Sequence, residues 1–438
     1  MRIGVIGGGI AGLTAAYRLV KAGHQVYLFE TEKALGGLAQ AVDFAGTKLD
    51  KFYRHVFKSD IDIIALINEL KLSDRFLWLP SSMGFYYGGK AYRFSTPMDL
   101  IRFKPLPFID RIKAGLMSLY LQKVKNWKKY EKITVKEWVE KYVSKKVYEV
   151  IWGPLLEQKF AEKADKVAMT FLYGRLHSRM ASREKGGAKE VLGYMKGSYQ
   201  VLIDVLENEI TKEGAKILKA TSVSKVITEN NKVKGIKVQG KDYNVDMVVV
   251  TCAPAITRKI IDFNNPEYEQ KLEKLIYHGA LILIMRTKKS LSDVYWLNIA
   301  DKDSPFVAVV EHTNFMDKEE YGGDNIIYIG KYLSTDDPLY KLPAAEIKEK
   351  FFAHLKKIKP LFDEDDVIEW AVYREPFSQP VVLKEYSKII PDYRTPVENL
   401  YMANMSMIYP EDRGMSYSVM LGNNAAKIMI EDAGKEEE

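Results

Sequence analysis

The chain contains one cysteine, Cys252, in 438 residues. A single thiol excludes a disulfide framework and any multi-cysteine zinc or iron–sulfur centre. Histidine is scarce as well. The six histidines, at positions 24, 55, 177, 278, 312 and 354, show neither HxxxH nor HExxH spacing, so no metal centre is expected. No run of about 18 apolar residues occurs, hence no spanning helix is expected. The opening Met1-Arg2-Ile3-Gly4-Val5-Ile6 lacks the pattern of a cleaved leader and reads as a strand from the start, so the expectation is a cytoplasmic protein. What is present is ordinary: hydrophobic residues make up 47% and charged residues 28%, which excludes wholesale disorder. At roughly 150 residues per domain the length suggests about three domain-sized units, large enough to bury about three quarters of the unfolded surface.

Charge is unevenly spread. The net charge is +7, yet residues 101–146 alone hold 13 Lys/Arg against four acids. At the start of that window Leu100-Ile101-Arg102-Phe103-Lys104, and within it Leu116–Leu121, mix large apolar residues with cations, and Lys123, Lys125, Lys128 and Lys129 surround Trp127. Apolar residues beside a cationic cluster suit an interfacial segment, so residues 100–129 are a candidate peripheral contact with an anionic membrane face. The competing reading is a helical core with solvated lysines. The other partner expected is a small-molecule substrate, with no nucleic acid; the oligomeric state is left open.

Along the chain, residues 2–6 read as a strand, Leu13–Lys21 as a helix and Gln25–Glu30 as a second strand, a βαβ opening. Residues 60–72 read as a helix. Residues 98–193 read as mainly helical, broken by Pro105, Pro107, Pro154 and Gly186-Gly187. Residues 199–213 form an amphipathic helix, followed by short strands up to Cys252. Longer strands are expected at 279–286, 294–299, 306–313, 325–333 and 367–373, with a helix at 343–359 between them. A strand at Leu400–Met402 and a helix from about Met415 to Glu431 close the chain. Returning to α/β units after two excursions implies one domain assembled from separated segments, with another inserted.

Gly7-Gly8-Gly9-Ile10-Ala11-Gly12 satisfies G-x-G-x-x-G between a strand and a helix, and Glu30 ends the next strand 18 residues past Gly12. Each piece has a physical task. Gly7 permits the tight turn, Gly9 lets the backbone approach a pyrophosphate, and Gly12 allows helix and strand to pack closely. Ile10 and Ala11 open the helix, whose free N–H groups and dipole favour the pyrophosphate. Glu30 accepts hydrogen bonds from ribose hydroxyls, and its charge disfavours a 2′-phosphate.

Five residues past Glu30 begins Leu35-Gly36-Gly37-Leu38-Ala39. Here the sequence resembles the superfamily of FAD-dependent flavin amine oxidases, protoporphyrinogen oxidases and phytoene desaturases, in which a Gly-Gly pair passes the FAD. That family often carries arginines flanking the pair, where this chain has Ala34 and Leu38; desaturase-type members also lack the second arginine. The stretch Thr221–Val226 with Asp246–Pro254 is similar to the family's second FAD segment, which implies that the backbone of Val223 meets the adenine. Leu400–Asn404 leading to Tyr409-Pro410-Glu411-Asp412-Arg413-Gly414-Met415-Ser416 resembles the closing flavin motif. There the helix N-terminus at Gly414 and Met415, with Arg413 nearby, would stabilise negative charge on the reduced flavin.

The resemblance implies an α/β fold. A Rossmann-like FAD-binding domain is built from discontinuous segments (1–85, 195–265 and 395–438). A substrate domain joins a helical part (86–194) to a mixed β-sheet part (266–394). For catalysis, Tyr53-Arg54-His55-Val56-Phe57 resembles the His-Ile-Phe segment that lies beside the flavin ring in UDP-galactopyranose mutases and some desaturases, so Arg54 and His55 are candidates. Glu311-His312-Thr313-Asn314 ends a strand of the substrate sheet, making His312 a catalytic candidate and Glu311 a substrate contact; a surface histidine is the alternative. Arg374-Glu375 and Gln379-Pro380 end another such strand. Arg175, Arg179 and Arg183 form one helical stripe suited to phosphate or diphosphate, or else a solvated face. Cys252 reads as an inert core residue. The function expected is oxidation or desaturation of an organic, lipophilic substrate by hydride transfer to flavin N5. A redox-neutral mutase-type flavoenzyme and a flavin-free binding protein of the same fold stay open as alternatives.

Overall fold

The structure is a computed structural model that describes residues 1–181 and 190–437. Its centre is a five-stranded parallel sheet in the order Leu400–Met402, Met247–Val250, Arg2–Ile6, Gln25–Phe29, Lys216–Leu218. Met247–Val250 is a continuous apolar run, as expected of a strand covered on both faces. The helices Ile10–Lys21 and Met415–Glu437 lie against each other so closely that a Cβ on Gly422 would sit 2.4 Å from the Ala11 carbonyl oxygen. Behind the sheet lies an antiparallel meander, Val223–Glu229, Lys232–Val238 and Lys241–Asn244. A Cβ on Gly4 would meet Ile236 at 2.3 Å, so the two sheets touch over that glycine.

A seven-stranded mixed sheet stands beside this unit, ordered Val367–Pro380, Tyr277–Thr287, Asn325–Leu333, Ala308–Glu311, Trp296–Ile299, Met83–Tyr87, Lys90–Arg93. The helix Ala344–Ile358 packs on it through Ile347, Phe351, Phe352 and Leu355, all buried. The helical part between residues 97 and 181 is a set of short pieces with their own start signals. Thr96 and Asp99 cap Pro97–Arg102 reciprocally, as Thr134 and Glu137 cap Val135–Tyr142.

The structure corrects two sequence readings. Glu190–Met195, expected as the end of the helical stretch, is a buried strand antiparallel to Phe76–Ser81. Gly193 is its key: a Cβ there would lie 2.4 Å from the Phe76 ring, so glycine admits the aromatic partner. The cut expected after residue 85 falls inside Met83–Tyr87, which pairs in parallel with Trp296–Ile299, so the large sheet begins before the helical part. The glycine pair at 186–187 and the arginine at 183 lie outside the described residues.

Candidate active site

The glycine-rich turn is built as its spacing requires. Gly7 has φ +107°, and a side chain there would press on Thr251, whose hydroxyl donates to the Ile6 and Gly7 carbonyls. A Cβ on Gly12 would fall 1.9 Å from the Gly7 carbonyl oxygen, so helix and strand meet at contact distance. Gly9 is different: it caps the helix that starts at Ile10, and a Cβ there would meet nothing within 4 Å. The space that this Cβ would enter, at the N-terminus of the helix whose first turn holds Ile10 and Ala11, is open. Glu30 is oriented by two backbone donors, the N–H of Gly8 at 2.7 Å and of Glu32 at 2.8 Å. Gly36 (φ +112°) donates its N–H to the Gly8 carbonyl at 2.8 Å, and a Cβ on Gly37 would lie 3.2 Å from the Gly9 Cα. The backbone of Thr221 bonds the Glu30 carbonyl, which brings the start of the meander at Val223 to the same edge. Cys252 lies beneath, its thiol pushed up to about 12 by burial and then by Glu30, and is inert.

A cavity of about 150 Å³ lies at the start of the closing helix, lined by Arg413, Gly414 and Met415 and by Arg54, His55, Lys159, Arg175 and Arg179. Thus the structure brings together Arg54, His55, Arg175, Arg179, Arg413, Gly414 and Met415. Arg413 donates from Nε to Gln379 at 2.9 Å and from Nη2 to the Tyr332 hydroxyl at 2.6 Å, its guanidinium over the Tyr332 ring. Arg54 donates to the Leu38 carbonyl, while its buried Nε has no partner among the described residues. Burial pulls Arg54 down to about 10, opposed by the neighbouring Asp50. The His55 Nδ1 lies 3.4 Å from the Tyr295 hydroxyl, and Phe57 and Trp296 meet its ring edge-on. Burial, with Arg179 and Arg175, lowers His55 to about 3, so it is neutral at working pH.

Two candidates fall elsewhere. His312 is buried in the core, its Nε2 2.7 Å from the Tyr321 hydroxyl and its ring against Tyr194 and Tyr328. It does not line the cavity at the flavin motif, and its surroundings are those of a core histidine. Glu311 is fully buried and accepts the N–H groups of Leu291 at 2.9 Å and Ser292 at 2.6 Å, so it fastens a loop instead of contacting substrate. A polar cluster at a strand end resembles a site in sequence whether the strand ends in a cleft or, as here, inside the fold.

Sequence reasoning missed the ionic centre of the cavity. Asp412 accepts from Lys159 Nζ at 2.7 Å and Arg175 Nη1 at 3.1 Å, and Gln379 Nε2 lies 3.4 Å away. Burial would raise this carboxyl, but Lys159, Arg175 and Arg413 outweigh it and hold Asp412 below the usual carboxylate range. Lys159, on the helix Gly153–Phe160, is lowered by burial. Nothing local in the sequence pairs residues so far apart.

Arg175 also lines two further chambers. A narrow one of about 80 Å³ includes Tyr53, Leu155 and Tyr332. Beyond it lies an outer chamber of about 260 Å³ walled by Met83, Phe85, Phe94, Leu100, Met117 and Leu176, with Arg175 and Arg179 at one side.

An open pyrophosphate approach over Gly9, an acid poised for ribose and a buried guanidinium donor facing the far cavity fit FAD extended between them. These features define a flavoprotein oxidoreductase. The chain belongs to the family described as flavin containing amine oxidoreductase, whose model matches residues 10–430; FAD is its cofactor. Among relatives it is 24% identical over 279 residues to a 4,4'-diapolycopen-4-al dehydrogenase of Metabacillus indicus, a match covering 57% of this chain and about half (55%) of that protein. It is 22% identical over 465 residues to a 15-cis-phytoene desaturase of Solanum lycopersicum, covering 99% of this chain and 78% of that one. Among solved structures, a putative protoporphyrinogen oxidase from Exiguobacterium sp. 255-15 matches with TM-score 0.77 at 17% identity, covering 99% of both chains. A reduced UDP-galactopyranose mutase matches with TM-score 0.76 at 15% identity, covering 97% of this chain and 94% of that one. At such identities the structures show the fold alone.

Proposed function

We propose that this oxidoreductase dehydrogenates or desaturates a lipophilic organic substrate, with the hydride passing to flavin N5. The observation that carries the reading is the outer chamber, apolar over most of its wall and sharing Arg175 and Arg179 with the cavity at the flavin motif. FAD supplies the two-electron acceptor. The chain's own residues do the positioning. Gly9 and the first turn of Ile10–Lys21 would hold the pyrophosphate, Glu30 the ribose, and the Val223 backbone the adenine. The N-terminus of Met415–Glu437, with Arg413, favours negative charge at the ring's far edge. Neutral His55 beside Tyr295 shapes the wall where the substrate meets the ring and accepts or donates a hydrogen bond without adding charge. In this reading the cofactor unit is assembled around the five-stranded parallel sheet from separated segments, and Met83–Tyr87 goes with the seven-stranded sheet of the substrate unit.

Access supports a lipid-facing entry. The helix Phe108–Lys123 turns Ala114 and Met117 inward, while Phe108, Ile109, Leu116 and Leu119 are each at least half exposed, at 59, 67, 59 and 50%. Its inner side walls the outer chamber through Ala114, Gly115, Met117 and Ser118. An exposed apolar face flanked by lysines is suited to peripheral attachment at an anionic membrane, with substrate passing beneath the helix. The apolar lining speaks against the redox-neutral reading, which needs a chamber for a polar sugar nucleotide, and the intact FAD cradle against a flavin-free role.

The test is anaerobic mixing of the purified flavoprotein with candidate reductants: polyenes in vesicles, and the polar amines putrescine and spermidine. Bleaching of the visible flavin absorbance by a lipophilic compound and not by the polar ones is expected. Bleaching by putrescine alone would overturn the reading.

A further inference from the structure

The helix Phe108–Lys123 borders a second concavity besides the outer chamber. A surface groove of about 580 Å³ lies between this helix, the turn Trp127–Tyr130 and the helix Val135–Tyr142. That volume falls within the roughly 300–1,000 Å³ typical of small-molecule sites. Lys113, Leu116, Met117 and Tyr120 stand at i, i+3, i+4 and i+7, so one face of Phe108–Lys123 turns to the groove. Trp138 and Tyr142, at i and i+4 of Val135–Tyr142, supply another wall.

The lining joins two chemistries. Tyr120 and Trp138 stack with centroids 6.4 Å apart at 12°, and the Tyr142 ring lies 5.4 Å from Trp138. Tyrosine and tryptophan suit a boundary where one end of a ring is apolar and the other wet. The charge is of one sign: Lys113 and Lys129 line the groove, and among the described residues no carboxylate does. Lys129 Nζ donates to the Tyr120 hydroxyl at 2.9 Å and stands 5.3 Å from that ring's centroid, which holds the ammonium beside the aromatic wall. Leu116 belongs both to the groove and to the exposed apolar row with Phe108, Ile109 and Leu119. A free anion would leave the aromatic wall wet, and a neutral lipid would leave the lysines unmatched. An anionic lipid meets both, and the exposed row places the groove at the surface that carries such lipids.

We propose that this groove takes up a single anionic phospholipid, its phosphate at Lys113 and Lys129 and its acyl chains along Leu116, Tyr120 and Trp138. This rests on the proposed peripheral attachment and deepens it, from a face that touches lipid to a site that binds one molecule. Met117 is buried and lines both the groove and the outer chamber, so the seated lipid lies against the wall of the chamber that receives the substrate.

Calorimetry on the holoprotein tests it, with dioctanoyl phosphatidylglycerol and dioctanoyl phosphatidylcholine kept below their micellar concentrations so that a site is read and not a surface. One saturable equivalent of phosphatidylglycerol is expected, bound at least roughly tenfold more tightly than phosphatidylcholine. Lys113→Gln and Lys129→Gln should each weaken it about fivefold while FAD content and Tm stay at parent values, and Lys129→Arg should keep most of the affinity. Vesicles of phosphatidylglycerol brominated in its chains should quench tryptophan fluorescence less in Trp138→Phe than in the parent. Absence of saturable binding, equal affinity for the two lipids, or binding that survives the double exchange to Gln would overturn the proposal. Equally tight binding of inorganic phosphate or of polyglutamate would overturn it too, assigning the lysines to a free anion or an acidic protein. Sedimentation with anionic vesicles is read in parallel. Holoprotein that sediments but binds no monomeric lipid keeps the attachment and loses the groove; monomeric lipid bound without sedimentation keeps the groove and loses the attachment.

Discussion

Gly9→Val separates cofactor binding from folding more cleanly than any other change in the turn. Gly9 has φ −72° and ψ 177°, an extended conformation that valine adopts without strain, and its Cβ would point into open space. The cost to the apo fold is therefore confined to a poorer helix cap, under about 1 kcal/mol. The same open space is where the pyrophosphate meets the helix. A valine there displaces the diphosphate from the first-turn N–H groups, and losing two charge-assisted hydrogen bonds costs about 3–6 kcal/mol. That corresponds to roughly a 10²- to 10⁴-fold weaker FAD affinity. The assay pairs flavin-to-protein ratio after gel filtration with a melting curve of the stripped protein. The variant should emerge colourless, with an apo Tm within a few degrees of the stripped parent. Gly12→Ala is the contrast: its Cβ would lie 1.9 Å from a backbone oxygen, so the apo fold itself should weaken. Flavin retained by Gly9→Val at the parent ratio would refute the placement of the pyrophosphate.

Other consequences can be checked independently. His55→Ala should keep FAD but shift its visible spectrum or depress the rate of substrate reduction of the flavin; unchanged spectrum and rate would remove His55 from the site. His312 is lowered to about 3 by burial, against about 6.5 unfolded, so its contribution to stability is full above about pH 6.5 and lost as pH falls toward 3. At about 1.4 kcal/mol per pH unit this amounts to roughly 2 kcal/mol at pH 5, and His312→Gln should flatten the decline in Tm between pH 7 and 5. Exchanging Lys123, Lys125, Lys128 and Lys129 for Gln should abolish low-salt sedimentation with anionic vesicles, since each contributes about 1 kcal/mol near such a surface. Binding that ignores the exchange would remove the membrane contact.

Legibility followed how local each signal is. The Gly7–Gly12 turn and Glu30 lie within one βαβ unit, so spacing alone carries their geometry, and Gly8 does bond the Glu30 carboxylate. The closing segment was legible because Arg413, Gly414 and Met415 sit together at a helix start. The Lys159–Asp412 pair joins a helix of the substrate part to the flavin motif 253 residues later, and nothing short-range announces it. Tyr332 and Gln379 reach Arg413 by the same long-range route. Glu311 and His312 misled for the opposite reason: their local pattern was polar, and only tertiary packing buried it. The strand Glu190–Met195 was hidden because its pairing partner, Phe76–Ser81, lies more than 100 residues upstream.

The central claim is that reducing equivalents reach the flavin from a substrate seated in the outer chamber. Ser118 lines that chamber, and an indole at its position would fill much of the roughly 260 Å³. Anaerobic stopped-flow reduction of the flavin in Ser118→Trp, by a bleaching substrate and by dithionite, tests the claim most directly. The account predicts that substrate reduction slows at least tenfold while dithionite reduction and FAD content stay at parent values. Substrate reduction at the parent rate in the filled chamber would contradict it.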